Sequence, residues 1–472
     1  MFNSFSEAQS FIKQQDIQMI DLKFCDLWGR WHHVTLSAGV FEPGLMEAGV
    51  GFDGSSVGLK SVKSGDMALI PDLSTGVMDP YWEVPTLSFI CYIVEAISKK
   101  RFFRDPREIA RRAEDALISS GVADRSIWGP EFEFYVFNKV SFENNINTAS
   151  YHLDAVEASW NSSSQGLGNF IPVHSGYHAI PPRDQLFNLR TRIVTTLEKM
   201  GVPVKYHHHE VGGPGQCEIE TPLMGMIAAA DAAMMIKYVT HMCAHAAGQA
   251  VTFLPKPLYG EAGSGMHFHQ QLFKENVNTF YDASASDKLS RTALAYIGGL
   301  LMHAPSLLAY TNPTTNSYRR LVPGYEAPVN CFYSLGNRSA AIRVPAYATE
   351  PHKVRMEFRP PDGTCNPYLA MAAMLMAGLD GIKKQIDPTS MGFGPINENI
   401  FNWSEEKRAS IKSLPSSLGQ ALDALENDHD YLTSDGVFDE EIVSDWITAK
   451  RKEESQLSVR PHPFEVQSYF DF

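Results

Sequence analysis

The segment Gly129-Pro130-Glu131-Phe132-Glu133-Phe134-Tyr135-Val136-Phe137 begins with strict alternation of acidic and aromatic residues. Side chains at i and i+2 of a strand share a face. The run therefore predicts a strand with Phe132 and Phe134 toward a core and Glu131 and Glu133 together on the opposite side. Two adjacent carboxylates are hard oxygen ligands, suited to Mg²⁺ or Mn²⁺. Taken alone, the pattern also suits the solvent side of an edge strand.

Five further segments carry chemistry. In Val354-Arg355-Met356-Glu357-Phe358-Arg359-Pro360 the same period sets Arg355, Glu357 and Arg359 on one face. That face is either a surface ion-pair ladder or a metal ligand flanked by phosphate-binding guanidiniums. His207-His208-His209-Glu210 precedes a Gly-Gly-Pro-Gly turn and then Glu218 and Glu220, so Glu210 and Glu218 can return to one site. Consecutive histidines on a strand cannot all face one metal, and no HExxH spacing supports zinc. Glu261-Ala262-Gly263-Ser264-Gly265-Met266-His267-Phe268-His269 combines a turn open to close backbone approach with two histidines on one strand face. No GxxxxGK[ST] phosphate loop is present. The proline-rich stretch 312–328 holds Arg320 and Glu326, the latter in a Pro-Gly-flanked loop that can serve as a flap, and Arg338 and Arg343 follow. Asp53 sits between Phe52 and Gly54, where an Asx-turn role is the ordinary one.

Composition narrows the classes. With 472 residues the chain has room for roughly three average domains, or two unequal ones, and for a core that needs no disulfides. Its 40 basic and 54 acidic residues leave a charge of −14, the wrong sign for a nucleic-acid binder. Six cysteines without a CxxC pair indicate reduced thiols and a cytoplasmic location. The first sixteen residues lack a basic start followed by an apolar run. The most apolar stretches, 295–310 and 367–379, are shorter than the ~20 residues of a membrane span and predict buried helices.

The elements expected are a hairpin of 16–24 and 31–36 across Trp28-Gly29-Arg30, and a strand over 87–95. A helix is expected over 107–119, opened by Asp105 as N-cap and Pro106. Further helices are expected over 231–250, 290–302, 366–382, 416–427 and 439–452, with a structureless loop over 311–328. A domain boundary is placed near 103.

Read in order, FDGSS, GPEFEFYVF, HHHEVGGPGQCEIE, GSGMHFH, NPTTNSYRRLVPGYEAP, NRSAAIR, RMEFRPPD, NPYLAMAAMLMAGLDGI and the tail RPHPFE resemble the type I glutamine synthetases of bacteria, most of all the cyanobacterial members. The resemblance runs from about residue 16 to the C-terminus. It implies an α+β fold: a small N-terminal β-grasp domain, 1–103, and a larger C-terminal α/β catalytic domain, 104–472, whose antiparallel sheet lines the site. The implied reaction is ATP-dependent ligation of ammonia to the γ-carboxylate of L-glutamate through γ-glutamyl phosphate, giving L-glutamine, ADP and phosphate. A superfamily ligase using another amine and a non-catalytic relative are the alternatives. Asp53 and the Glu326 flap favour ammonia, and the presence of every matched metal-site acid favours catalysis.

The resemblance also implies roles. Glu133, Glu210 and Glu218 would hold one Mg²⁺ or Mn²⁺, and Glu131, His267 and Glu357 a second. His269 would contact nucleotide and glutamate, and Arg320 the glutamate carboxylate. Arg338, Arg355 and Arg359 would bind phosphates, and Gly263 would bring backbone close to substrate. Asp53 and Glu326 would form the ammonium site. His352, with Lys353 beside it, stands where the family commonly has a nucleotide-binding lysine, and Ala262 where it commonly has a glutamate-contacting Asn. Phe401 occupies the place of the adenylylated tyrosine and has no hydroxyl to modify. The implied assembly is a homo-dodecamer of two hexameric rings. Its active sites lie between subunits, with Asp53 donated by the adjacent chain and residues 461–472 docked into the opposite ring. Small basic inhibitory proteins are expected partners of the acidic surface; nucleic acid and membrane are not.

Overall fold

The computed structural model describes residues 1–472 except 61–64, 162–166, 326, 399 and 401–402. Glu326 and Phe401, both singled out above, thus lie outside the described residues.

The N-terminal fifth of the chain folds around a six-stranded sheet. Met19–Cys25 pairs antiparallel with Trp31–Ser37 and parallel with Thr86–Glu95; Asp66–Pro71 and Val50–Asp53 extend the sheet beyond it. The expected hairpin is present because Asp26 closes its turn. Its Oδ1 accepts from the Trp28 and Arg30 backbone N–H groups, each at 2.9 Å. The helix Pro106–Ser120 starts at the anticipated cap, with the Asp105 carboxylate accepting from the Arg107 N–H.

The second sheet has ten strands. Its main path runs Tyr206–His209, Gln216–Glu220, Arg125–Phe137, Phe268–Lys274, Met356–Phe358, Ala340–Arg343, Asn330–Ser334, antiparallel throughout except for the last pair. Phe132 and Phe134 are fully buried, as alternation requires. The helices Met226–Ala246, Arg291–Thr311 and Pro367–Lys384 complete the core. The last two cross where Gly299 meets Gly381: a Cβ on Gly299 would lie 2.7 Å from the Gly381 Cα, so only glycine lets the backbones approach this closely.

Several element boundaries differ from expectation. The helix expected over 290–302 continues through Pro305 to Thr311, because burial of nearly every residue beyond Met302 offsets the hydrogen bond that proline removes. At 21 residues it is long and apolar enough to cross a membrane, yet 72% of its apolar window is packed inside the protein. The helix expected over 231–250 spans Met226–Ala246. It stops before Gly248, which adopts a positive φ, and residues Ala250–Thr252 join the second sheet. The loop over 311–328 contains a short helix, Ser317–Arg320. All six cysteines are free and buried.

Candidate active site

The long strand Arg125–Phe137 organises the site. Its register sets Glu131 opposite Glu220 and Glu133 opposite Glu218, so period-two alternation in both strands gathers these four carboxylates on one face. On its other edge, the Glu131 N–H donates to the His267 carbonyl and the Glu133 N–H to that of Gly265. One strand further, His269 stands opposite Glu357. Residues more than 200 positions apart thereby share one cleft.

Among the described residues three groups have metal-ligand geometry, two of them sharing Glu131: Glu131 with His267 and Glu357, Glu131 with Glu220 and His269, and Glu210 with Glu218 and His208. In the two that share Glu131, His267 Nδ1 lies 3.0 Å from Glu131 Oε2 and 3.7 Å from Glu357 Oε1, and His269 Nε2 lies 2.9 Å from Glu131 Oε1. Burial works to raise the Glu131 pKa, but His269 and His267 prevail and hold it well below the usual carboxylate range. Glu357 is likewise held down against burial, chiefly by Arg359. It pairs with the Arg359 guanidinium and with Arg343 at 2.7 Å.

The Glu210 and Glu218 cluster behaves oppositely. Burial, then the charge of Glu133, pushes Glu210 up to about 7. Burial and the charges of Glu131, Glu133 and Glu210 push Glu218 well above its ordinary value. Like charges 4 Å apart cost about 4 kcal/mol at an effective dielectric of 20, so these acids need counter-charge to ionise together. A divalent cation supplies it, and a donor set of carboxylates with one imidazole fits Mg²⁺ or Mn²⁺.

Among the residues expected at the site, Arg320 is buried against the glycine turn. It donates to the Pro360 carbonyl at 2.6 Å and to His267 Nε2 at 3.2 Å. A Cβ on Gly263 would lie 2.6 Å from its Cγ, which is why the turn is built of glycine. Arg359 Nε donates to the Arg338 carbonyl, and the Arg338 charge reaches Glu210. Arg355 donates to His269 Nδ1 at 3.3 Å and to the Tyr347 hydroxyl at 3.0 Å. His352 and Lys353 lie on an exposed loop, both paired with Glu350. Ala262 uses its carbonyl to accept from the buried Tyr135 hydroxyl at 2.6 Å. Asp53 is at the end of its strand, accepting from Ser55 and Ser56, and no described contact joins it to the glutamate cluster.

Two residues given no role from sequence sit at the cluster. His208 Nε2 lies 3.3 Å from Glu218, while His207 contacts Arg190 and His209 contacts Glu157, so the histidine run splits between faces. Glu220 is buried beside Glu131 and His269 and held by Lys205 at 2.6 Å. The i, i+2 spacing of Glu218 and Glu220 was its signal in the sequence.

A family model described as the catalytic domain of glutamine synthetase matches residues 103–469, and one described as its beta-grasp domain matches residues 16–96. The chain is 47% identical to a glutamine synthetase of Nostoc sp. over 98% of its own length and 99% of that protein's. It is 44% identical to one of Streptomyces coelicolor over the whole of both chains. It superposes on the cryo-EM structure of Plasmodium falciparum glutamine synthetase with a TM-score of 0.90 at 28% identity, covering 99% of each chain.

Proposed function

The chain belongs to the glutamine synthetase family, and from that premise we propose how its residues make glutamine. It is an enzyme, a ligase that joins ammonia to glutamate. The observation that carries the assignment of its parts is the Glu131–His267–Glu357 cluster, set beside Glu210 and Glu218 and flanked by Arg320 and Arg359.

Glu133, Glu210 and Glu218 hold one divalent cation, and Glu131, His267 and Glu357 a second. When bound, the two ions supply charge neutralisation for phosphoryl transfer from ATP. The remaining work falls to the side chains. Arg320 holds the glutamate carboxylate against the Gly263 turn. Arg338 and Arg359 orient the transferring phosphoryl group, while Arg355, His269, His352 and Lys353 hold the nucleotide. A carboxylate is a poor electrophile, and phosphorylation converts it to γ-glutamyl phosphate with a good leaving group. Asp53 attracts ammonium and accepts its proton, leaving ammonia to attack the acyl carbon and expel phosphate. Glu326 covers the intermediate and takes the later proton.

The division near residue 103, into segments 1–103 and 104–472, belongs to the same reading. So does a homo-dodecamer of two hexameric rings in which Asp53 completes the site of the adjacent subunit. The exposed aromatic side chains of the C-terminal helix, Phe464, Tyr469 and Phe470, support docking of that segment onto another copy. The six buried thiols support a reducing cytoplasm. The charge of −14 suits small basic inhibitory proteins, whose inhibition would then weaken with salt.

Phosphate release that requires ATP, glutamate and ammonium together tests the reaction. Turnover sustained by a larger amine but not by ammonium would overturn it.

A further inference from the structure

A second cleft, of about 550 Å³ and lined by none of the clustered glutamates, lies where the Trp28-Gly29-Arg30 turn meets Lys237, Lys450 and the loop at Gly363 and Thr364. Its volume is that of a small-metabolite site. Its charge is unbalanced: Arg30, Lys237 and Lys450 line it against the single acid Glu453. Lys450 is already neutralised, with Nζ 3.0 Å from Glu453 Oε2 and its charge over the Trp28 and Trp446 rings. The other two are not. Among the described residues, the Arg30 guanidinium has neither a hydrogen bond nor an ion pair, and the Lys237 ammonium has only the Cys365 carbonyl at 3.2 Å. Two cations without a direct carboxylate partner therefore line one open cleft.

We propose that this cleft binds a small organic or inorganic dianion, held between the Arg30 guanidinium and the Lys237 ammonium. The chemistry is that of a guanidinium fork and an ammonium point charge meeting phosphate or paired carboxylates. Burial keeps the Lys237 pKa below the ordinary lysine range, and the more distant charge of Asp362 offsets only part of that cost. Thr314 and Thr364 line the same cleft. Thr364 is fixed to Asp362 through its N–H at 2.9 Å, in the loop whose Pro360 carbonyl supports Arg320, and Thr314 leads into the helix that carries Arg320. An occupant thus rests against both supports of a catalytic-cleft arginine from behind.

The test is calorimetric titration of the full-length assembled enzyme with inorganic phosphate and, separately, with succinate. It is repeated on Arg30→Ser and Lys237→Met, with ATP affinity and circular dichroism as controls. The arginine is exposed, so its variant stands if the lysine variant fails to fold. The expected result is a binding component for at least one probe that weakens about tenfold or more in each folded variant, at unchanged ATP affinity. The probe that binds tells a phosphate source from a dicarboxylate one. Binding of neither probe, or binding equal in wild type and Arg30→Ser, would overturn the proposal.

Discussion

His267 Nδ1 stands 3.0 Å from Glu131 Oε2, so two residues 136 positions apart in sequence meet in the catalytic cleft. Arg320 donates to the other ring nitrogen of His267, so Nδ1 carries the proton that Glu131 accepts.

Glu357 ties this centre to two guanidiniums. Replacing it with Gln keeps the shape but removes the charge that Arg343 and Arg359 face. We expect Mn²⁺ affinity to fall by about tenfold or more, with a parallel loss of turnover. Electron paramagnetic resonance of bound Mn²⁺ measures the first; undiminished binding would remove Glu357 from the ligand set.

Arg320→Met should raise KM for glutamate by roughly 10- to 100-fold while leaving KM for ATP within about twofold, since the carboxylate contact is lost and the other bonds of this guanidinium, to the Pro360 carbonyl and His267, lie at the glutamate end of the cleft. Equal effects on both substrates would mean that this side chain supports the cleft in general.

Glu210 and Glu218 make the metal-free enzyme pH-sensitive. Their folded pKa values lie above the ordinary carboxylate value, Glu210 at about 7, so between about 4.5 and 7 the folded state holds protons that the unfolded chain has released. Their contribution is therefore neutral below that window and turns destabilising as pH rises through it. Metal binding should release protons and tighten as pH rises toward 7, and added Mn²⁺ should abolish the loss of stability. Thermal unfolding at several pH values, with and without the ion, reads both effects; pH-independent metal binding would contradict them.

Asp53 is exposed at the end of its strand, held by Ser55 and Ser56, whose hydrogen bonds keep its carboxyl below the usual range. If it serves the neighbouring subunit, two inactive variants must complement. Asp53→Ala and Glu357→Gln, unfolded together and reassembled in equal amounts, should recover about a quarter of wild-type activity, because one site in four receives both intact halves. No recovery from a correctly assembled mixture would confine the site to one chain.

Deletion of residues 461–472 removes Phe464, Tyr469, Phe470 and Phe472, all exposed in the single chain. Sedimentation should then show particles of about half the wild-type mass, single rings in place of double ones. An unchanged particle would leave the tail without an assembly role.

Local order was legible in the sequence because it depends on near neighbours. The EFEF alternation gave the faces of the central strand, and Asp105-Pro106 gave a helix start that the backbone realises. The same short-range logic misjudged the helix through Pro305, whose stability comes from burial against distant residues. It also left Glu220 and His208 without roles. Which of several alternating acids meets Glu131 is a matter of register between strands, and nothing within either strand encodes that.

The sequence by itself determined which residue types could do the chemistry and on which face of its own strand each would lie, since side-chain direction follows the backbone period. Only the tertiary structure decided which carboxylates crowd together, and hence which titrate high and which low. It also decided that Arg30 and Lys237 share one cleft. Electrostatic energy depends on distance and burial, and both are set by how remote segments pack.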